Sequence, residues 1–177
     1  MFAARLAIVV SMIGIVFGWG CATPKRRFVP TVDPNTLPAH VFVHYLATVP
    51  VATVDEGCRA VLMLTADGEK AKSFPERRVV LQRLGAWHPS WSIEGDHVLD
   101  QGTLAYMLRV LCAMPHGVSE SLLGGWGASA RRYALRTCTH EGVLPYGQPH
   151  QPVSGGMLQS AVNRAESYIS DRAAYSP

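Results

Sequence analysis

Three segments of this chain open in the same manner, and that recurrence limits what it can fold into. Val51-Ala52-Thr53, Val98-Leu99-Asp100 and Pro152-Val153-Ser154 each place an apolar residue directly before one whose side-chain oxygen caps a helix. The caps stand 47 and 54 residues apart. Behind them apolar residues recur every three or four positions: Cys58, Val61, Leu62 and Leu64; Leu104, Met107, Leu108 and Leu111; Leu158, Val162 and Ala165. Thr53-Val-Asp-Glu56 reads as a complete capping box.

Two further helices fit between these starts. Ser73-Phe-Pro-Glu76 reads as a second capping box, with Pro75 tolerated in the first turn and Gly85 as the stop. Ser129 is expected to cap a run carrying Tyr133, Leu135 and Cys138, which Gly142 ends. The two helices return through Gly85-Ala86-Trp87 and Gly142-Val143-Leu144-Pro145, so the order is A-B-A-B-A. Modules spaced in this way bury their faces against one another, and the expected fold class is mainly α, a helical repeat bundle. His40-Val-Phe-Val-His-Tyr45 remains ambiguous, since its alternation suits a strand while its length and Pro38 suit a helix. A 48% hydrophobic and 16% charged composition over 177 residues excludes a disordered chain. The net charge of +3 is too small for a dedicated nucleic-acid binder.

The repeat resembles the S-layer homology (SLH) domain, whose helical units have about this period. Ser129–Pro145, with Tyr133-Ala134-Leu135 and Gly142-Val143-Leu144-Pro145, followed by Pro152-Val153-Ser154-Gly155, looks like the best-preserved unit. Val51–Tyr106 looks like a looser one, and the resemblance covers about residues 51–168. In SLH domains the long helix opens Ile-Thr-Arg-Ala-Glu, and its arginine and acidic groups help to grip cell-wall polysaccharide. Glu56 matches the acidic position here, whereas the arginine is absent from all three openings. The resemblance therefore implies an SLH-like helical scaffold.

The N-terminus reads as an address. Arg5 is the one charge in residues 2–20, an apolar run follows, and Gly20-Cys21 closes it. This resembles the lipobox of bacterial lipoproteins, in which the cysteine is lipidated and becomes the new N-terminus; Cys21 is the expected lipidation site. An uncleaved anchor is the alternative, because residues 2–20 are nearly long enough to span a bilayer. The expected organisation is residues 1–20 as signal or anchor, 21–37 as a proline-rich tether, 38–170 as the helical domain and 171–177 as a tail. Either address places the domain in the cell envelope, exported and tethered to a membrane.

Candidate sites follow from residue chemistry. Arg131 and Arg132 suit an anionic polymer, because guanidinium groups match carboxylate and phosphate. Trp87, Trp91 and Trp126 could stack on sugar rings or, alternatively, plug the gap between helices. Glu56 joins them through the resemblance. His40 and His44, four apart, share a face but have no third metal ligand nearby. Cys138-Thr-His140-Glu141 gathers catalytic residue types, yet Cys138 and His140 point about 200° apart on a helix. His140 fits better as a cation near a helix C-terminus. Gly125-Trp-Gly127-Ala-Ser-Ala130 matches G-x-G-x-x-A without a preceding strand, which favours a turn over a phosphate cradle. Cys58, Cys112 and Cys138 are expected to be buried free thiols. The expected role is a non-catalytic binding or structural module contacting cell-wall polymer or another envelope protein. It would carry no metal, cofactor, catalytic residue or nucleic-acid partner. The competing reading is a metal- or small-ligand-binding periplasmic accessory domain.

Overall fold

The computed structural model describes residues 26–30, 32–66, 68, 70–115 and 128–174. Among them are six α-helices: α1 (Ala39–Thr48), α2 (Val54–Leu62), α3 (Phe74–Arg83), α4 (Gln101–Leu111), α5 (Ala128–His140) and α6 (Gly155–Ala174). No strand occurs among the described residues, only three isolated antiparallel bridges. The class is mainly α.

The three marked starts do cap helices. Thr53 accepts from the backbone of Glu56, and Glu56 reaches back to the Thr53 N–H at 2.6 Å, closing the capping box of α2. Asp100 Oδ1 accepts the Thr103 N–H at 2.6 Å, and Ser154 Oγ accepts the Met157 N–H at 3.2 Å. The second box differs from expectation. Ser73 precedes α3 without a side-chain cap to that helix, and Glu76 instead takes the Lys72 N–H at 2.8 Å. The α5 helix begins at Ala128, so Ser129 sits inside its first turn rather than before it. Both predicted glycine stops hold, with φ of 74° at Gly85 and 73° at Gly142. Each is followed by a bond spanning five residues, Ala86 N–H to Leu81 O and Val143 N–H to Cys138 O, both 2.8 Å.

The three starts also bind one another. The Ala52 N–H donates to Val153 O at 2.8 Å, the Val153 N–H to Leu99 O at 2.9 Å, and the Leu99 N–H to Ala52 O at 2.9 Å. This is a closed three-membered cycle of backbone hydrogen bonds. A second cycle lies around it: Val54 donates to His97 O, Gln101 to Gln151 O and Gly155 to Val49 O, at 2.8 to 2.9 Å. The apolar residue before each cap points inward; Ala52, Leu99 and Val153 are all fully buried.

From this hub three helical pairs extend. The α2 helix packs on α3, α4 on α5, and α6 on α1. The ambiguous segment His40–Tyr45 is thus the missing B helix. It starts after Pro38 and buries Phe42 and Leu46, four apart on one face. The order along the chain is B-A-B-A-B-A, and the last A helix pairs with the first B helix. Close approach makes that closure possible: a Cβ at Gly155 would lie 2.0 Å from the Leu46 carbonyl oxygen.

The packed body also reaches into residues expected to form the tether. Val98 donates to Arg26 O and Phe28 to Asp96 O, adding a rung beside the hub. Asp33 caps a 3-10 turn at Pro34–Thr36, and Pro34 is buried. The Arg59 guanidinium donates to the Pro34 and Leu37 carbonyls and lies 4.3 Å from the Phe42 ring centre. Two backbone carbonyls and one ring face gathered around one cation explain why this proline-rich stretch is docked. The apolar segment 2–20 and Cys21 lie outside the described residues. Among those described, no helix is long and apolar enough to cross a membrane.

Candidate functional site: a cationic cleft on α5

Hub chemistry decides which predicted residues can face a ligand. Glu56 is 0% exposed. Its Oε2 takes the Thr53 N–H and hydroxyl, and its Oε1 takes the Tyr45 hydroxyl at 2.6 Å. That carboxylate is spent inside the fold and presents no atom to a polymer, a correction to the expectation drawn from the acidic SLH position. Burial, then the Glu56 hydrogen bond, pushes the Tyr45 hydroxyl pKa upward.

Trp87 is likewise placed inside, at 2% exposure. It meets Phe74 and Trp91 edge to face at 6.0 and 5.4 Å, and Trp91 meets Tyr106 at 5.0 Å. These rings form an aromatic seam between α3 and α4, so Trp87 plugs the interhelical gap and is no sugar platform. Trp91 is half-buried at the outer end of the seam. Arg131 lies over it, 5.7 Å from the ring centre, and pairs with Asp100 Oδ2 at 3.2 Å and Thr103 Oγ1 at 3.3 Å. With 21% of its side chain exposed, Arg131 fastens α5 to the capped start of α4.

Arg132 has a different position. It is exposed and lines a cleft of about 440 Å³ with Arg136, Thr139, His140, Tyr146 and Pro149. Arg132, Arg136 and His140 stand four apart, one above another on α5. Neither arginine has a carboxylate partner among the described residues; Arg136 leans on the Tyr133 ring at 5.9 Å. Opposite them the loop after Gly142 carries Tyr146, 93% exposed. Two free guanidinium forks beside an exposed phenol ring can bind carboxylate or phosphate while stacking on an apolar sugar face. Arg136 and Tyr146 were missed by the sequence reading, although the Arg132, Arg136, His140 stripe is legible in the helical period.

The other candidates are separate. His40 and His44 are exposed on α1, and no group of three His, Cys, Asp or Glu suited to a metal occurs among the described residues. Cys138 is buried, its Sγ 3.4 Å from Ala105 O and 3.8 Å from Met114 Sδ. Burial pushes its thiol up to about 12 and that of Cys112 up to about 11, which keeps both protonated and unreactive at neutral pH. Cys58 is raised by burial as well. All three thiols are free and buried. The Gly125–Gly127 stretch lies outside the described residues. No protein-family model, curated protein or solved structure matches this chain.

Proposed function

We propose that this chain is a non-catalytic module of the bacterial cell envelope that binds an anionic wall polymer through the α5 cleft. Its domain is exported and tethered at the N-terminus, by lipid at Cys21 or by an uncleaved apolar anchor. The observation that carries this reading is the pair Arg132 and Arg136, exposed and without carboxylate partners among the described residues, facing the exposed Tyr146 across one cleft. The SLH resemblance supports it, because three similarly capped starts meet at one hub. In this reading Arg132 and Arg136 take the place of the opening arginine that the SLH pattern would supply.

Co-sedimentation of the full chain with purified cell-wall material across a salt series tests the reading. Pelleting is expected to be saturable and to weaken as salt screens the exposed arginines. Two exposed ion contacts contribute about 1.4 kcal/mol together, so Arg132→Ala with Arg136→Ala should weaken binding about tenfold. Arg131→Ala should leave binding within about twofold, since its guanidinium is engaged with Asp100. Absence of pelleting, or pelleting that ignores both salt and the double substitution, would overturn the proposal.

A further inference from the structure

A trough of about 300 Å³ runs along α6 where that helix meets α1 and the end of α2. Its floor is Leu46 and Ala60, 2% and 1% exposed. Its far wall is Val43 of α1 with Met63 and Leu64 at the end of α2, all three half-buried. The near wall is one face of α6, from Gln159 to Ser170. On that face half-buried Val162 and Ile169 continue the apolar lining, while exposed Asn163, Glu166 and Ser170 form the rim.

Two observations fix the class of ligand. The first is width. Gln159 and Ser170 are eleven positions apart, about 16 Å along the helix axis. A volume of about 300 Å³ over that length makes the trough roughly 4 Å across, one carbon-to-carbon contact distance. A partner helix with its side chains is about 10 Å thick and does not enter. A single unbranched hydrocarbon chain does. The second observation is charge. Glu166 is the one ionisable group in the lining, and its carboxylate has no hydrogen-bond or ion-pair partner among the described residues. The Ser170 hydroxyl turns back to the Glu166 carbonyl at 3.0 Å and leaves that carboxylate alone. No cation lines the trough, although the whole chain carries a net +3. An apolar trough rimmed by one unpaired carboxylate selects a positive head group and disfavours a negative one.

We infer that the trough is a binding site for an amphiphilic amine, its unbranched alkyl chain lying along α6 and its ammonium group paired with Glu166 at the rim. The inference rests on α1, α2 and α6 alone and is independent of the α5 cleft.

The test uses the full chain in phosphatidylcholine nanodiscs, free of competing detergent, with ¹³C at the methionine methyls and octylammonium as the probe. Met63 lines the trough, whereas buried Met107 and Met114 lie outside its lining and serve as internal references. A saturable shift of the Met63 methyl with the two references unmoved is expected, with dissociation constants referred to free amine in water. Octanoate has the same tail and the opposite charge, and should bind about tenfold more weakly. Heptylammonium should bind about fourfold more weakly than octylammonium, the effect of one buried methylene. Adamantylammonium carries the same charge on a globular body too wide for the trough, and should leave Met63 unmoved. Glu166 is exposed, so Glu166→Gln keeps the fold; it should weaken octylammonium about threefold. An unsaturable Met63 shift, octanoate or adamantylammonium binding as tightly as octylammonium, or an unchanged constant in Glu166→Gln would each overturn the inference. So would a Met63 signal that moves on dilution of the protein alone, which would mean that a second copy covers the trough.

Discussion

Adjacent glycines at the start of α6 allow a paired test of the hub. A methyl group at Gly155 would sit 2.0 Å from the Leu46 carbonyl oxygen and 2.9 Å from Val49 Cβ, both belonging to the end of α1. A carbon-to-oxygen contact needs more than 3 Å, so backbone must move by roughly 1 Å to admit it. That shift opens the Gly155 N–H to Val49 O bond, one of the six that tie the three starts together. Overpacking of this kind costs about 1–3 kcal/mol, and the hydrogen bond adds about 1 kcal/mol. Alanine returns about 1 kcal/mol in helix propensity, leaving Gly155→Ala destabilised by about 1–3 kcal/mol. At Gly156 an added Cβ meets nothing within 4 Å, so Gly156→Ala should gain about 0.5–1 kcal/mol. Urea unfolding followed by far-ultraviolet circular dichroism reads both. If Gly155→Ala is as stable as Gly156→Ala, the close closure of α6 on α1 is refuted.

Other outcomes follow from the same contacts. Ala113 holds a left-handed φ of 48° at the end of α4, so Ala113→Gly should stabilise by about 1 kcal/mol in the same urea assay. Thr53→Ala removes the N-cap of α2 and one of the three hydrogen bonds to the buried Glu56 carboxylate, with an expected loss of about 2 kcal/mol. Burial raises the Cys112 and Cys138 thiols to about 11 and 12, above their unfolded values near 9. The unfolded chain then loses thiol protons first, and stability should fall as pH rises from about 9 towards 12. Replacing both cysteines with alanine should make that part of the pH profile shallower, with buried Cys58 keeping part of the slope. The thiols of Cys58, Cys112 and Cys138 should also resist a disulfide reagent at pH 8 until the chain unfolds.

The features legible in the sequence were those encoded locally. Thr53, Asp100 and Ser154 announce their helices because a cap acts within three residues of itself. Gly85 and Gly142 announce the stops because few other residues take that backbone conformation. Which helix lies beside which is a long-range outcome, and there the reading stopped. Nothing near His40–Tyr45 records that its partner lies more than a hundred residues away in α6. The same holds for residues 26–37, whose composition suits a free tether but whose carbonyls are gathered by Arg59. At the candidate site, Arg131 and Arg132 are neighbours in sequence and about 100° apart around α5. One therefore turns inward to Asp100 and the other out into the cleft. Glu56 matched two patterns, a capping box and an acidic ligand position, and a single buried carboxylate cannot serve both.

The account rests on three helix starts sharing one hydrogen-bonded hub, and amide hydrogen exchange of Ala52, Leu99 and Val153 tests this most directly. Each of these amides donates within the closed cycle and is buried, and pulling any one start away breaks two of the three bonds. The account predicts that the three exchange together, at the slow rate set by global unfolding. Exchange of any one at the rate of exposed loop amides, with the other two still protected, would contradict it.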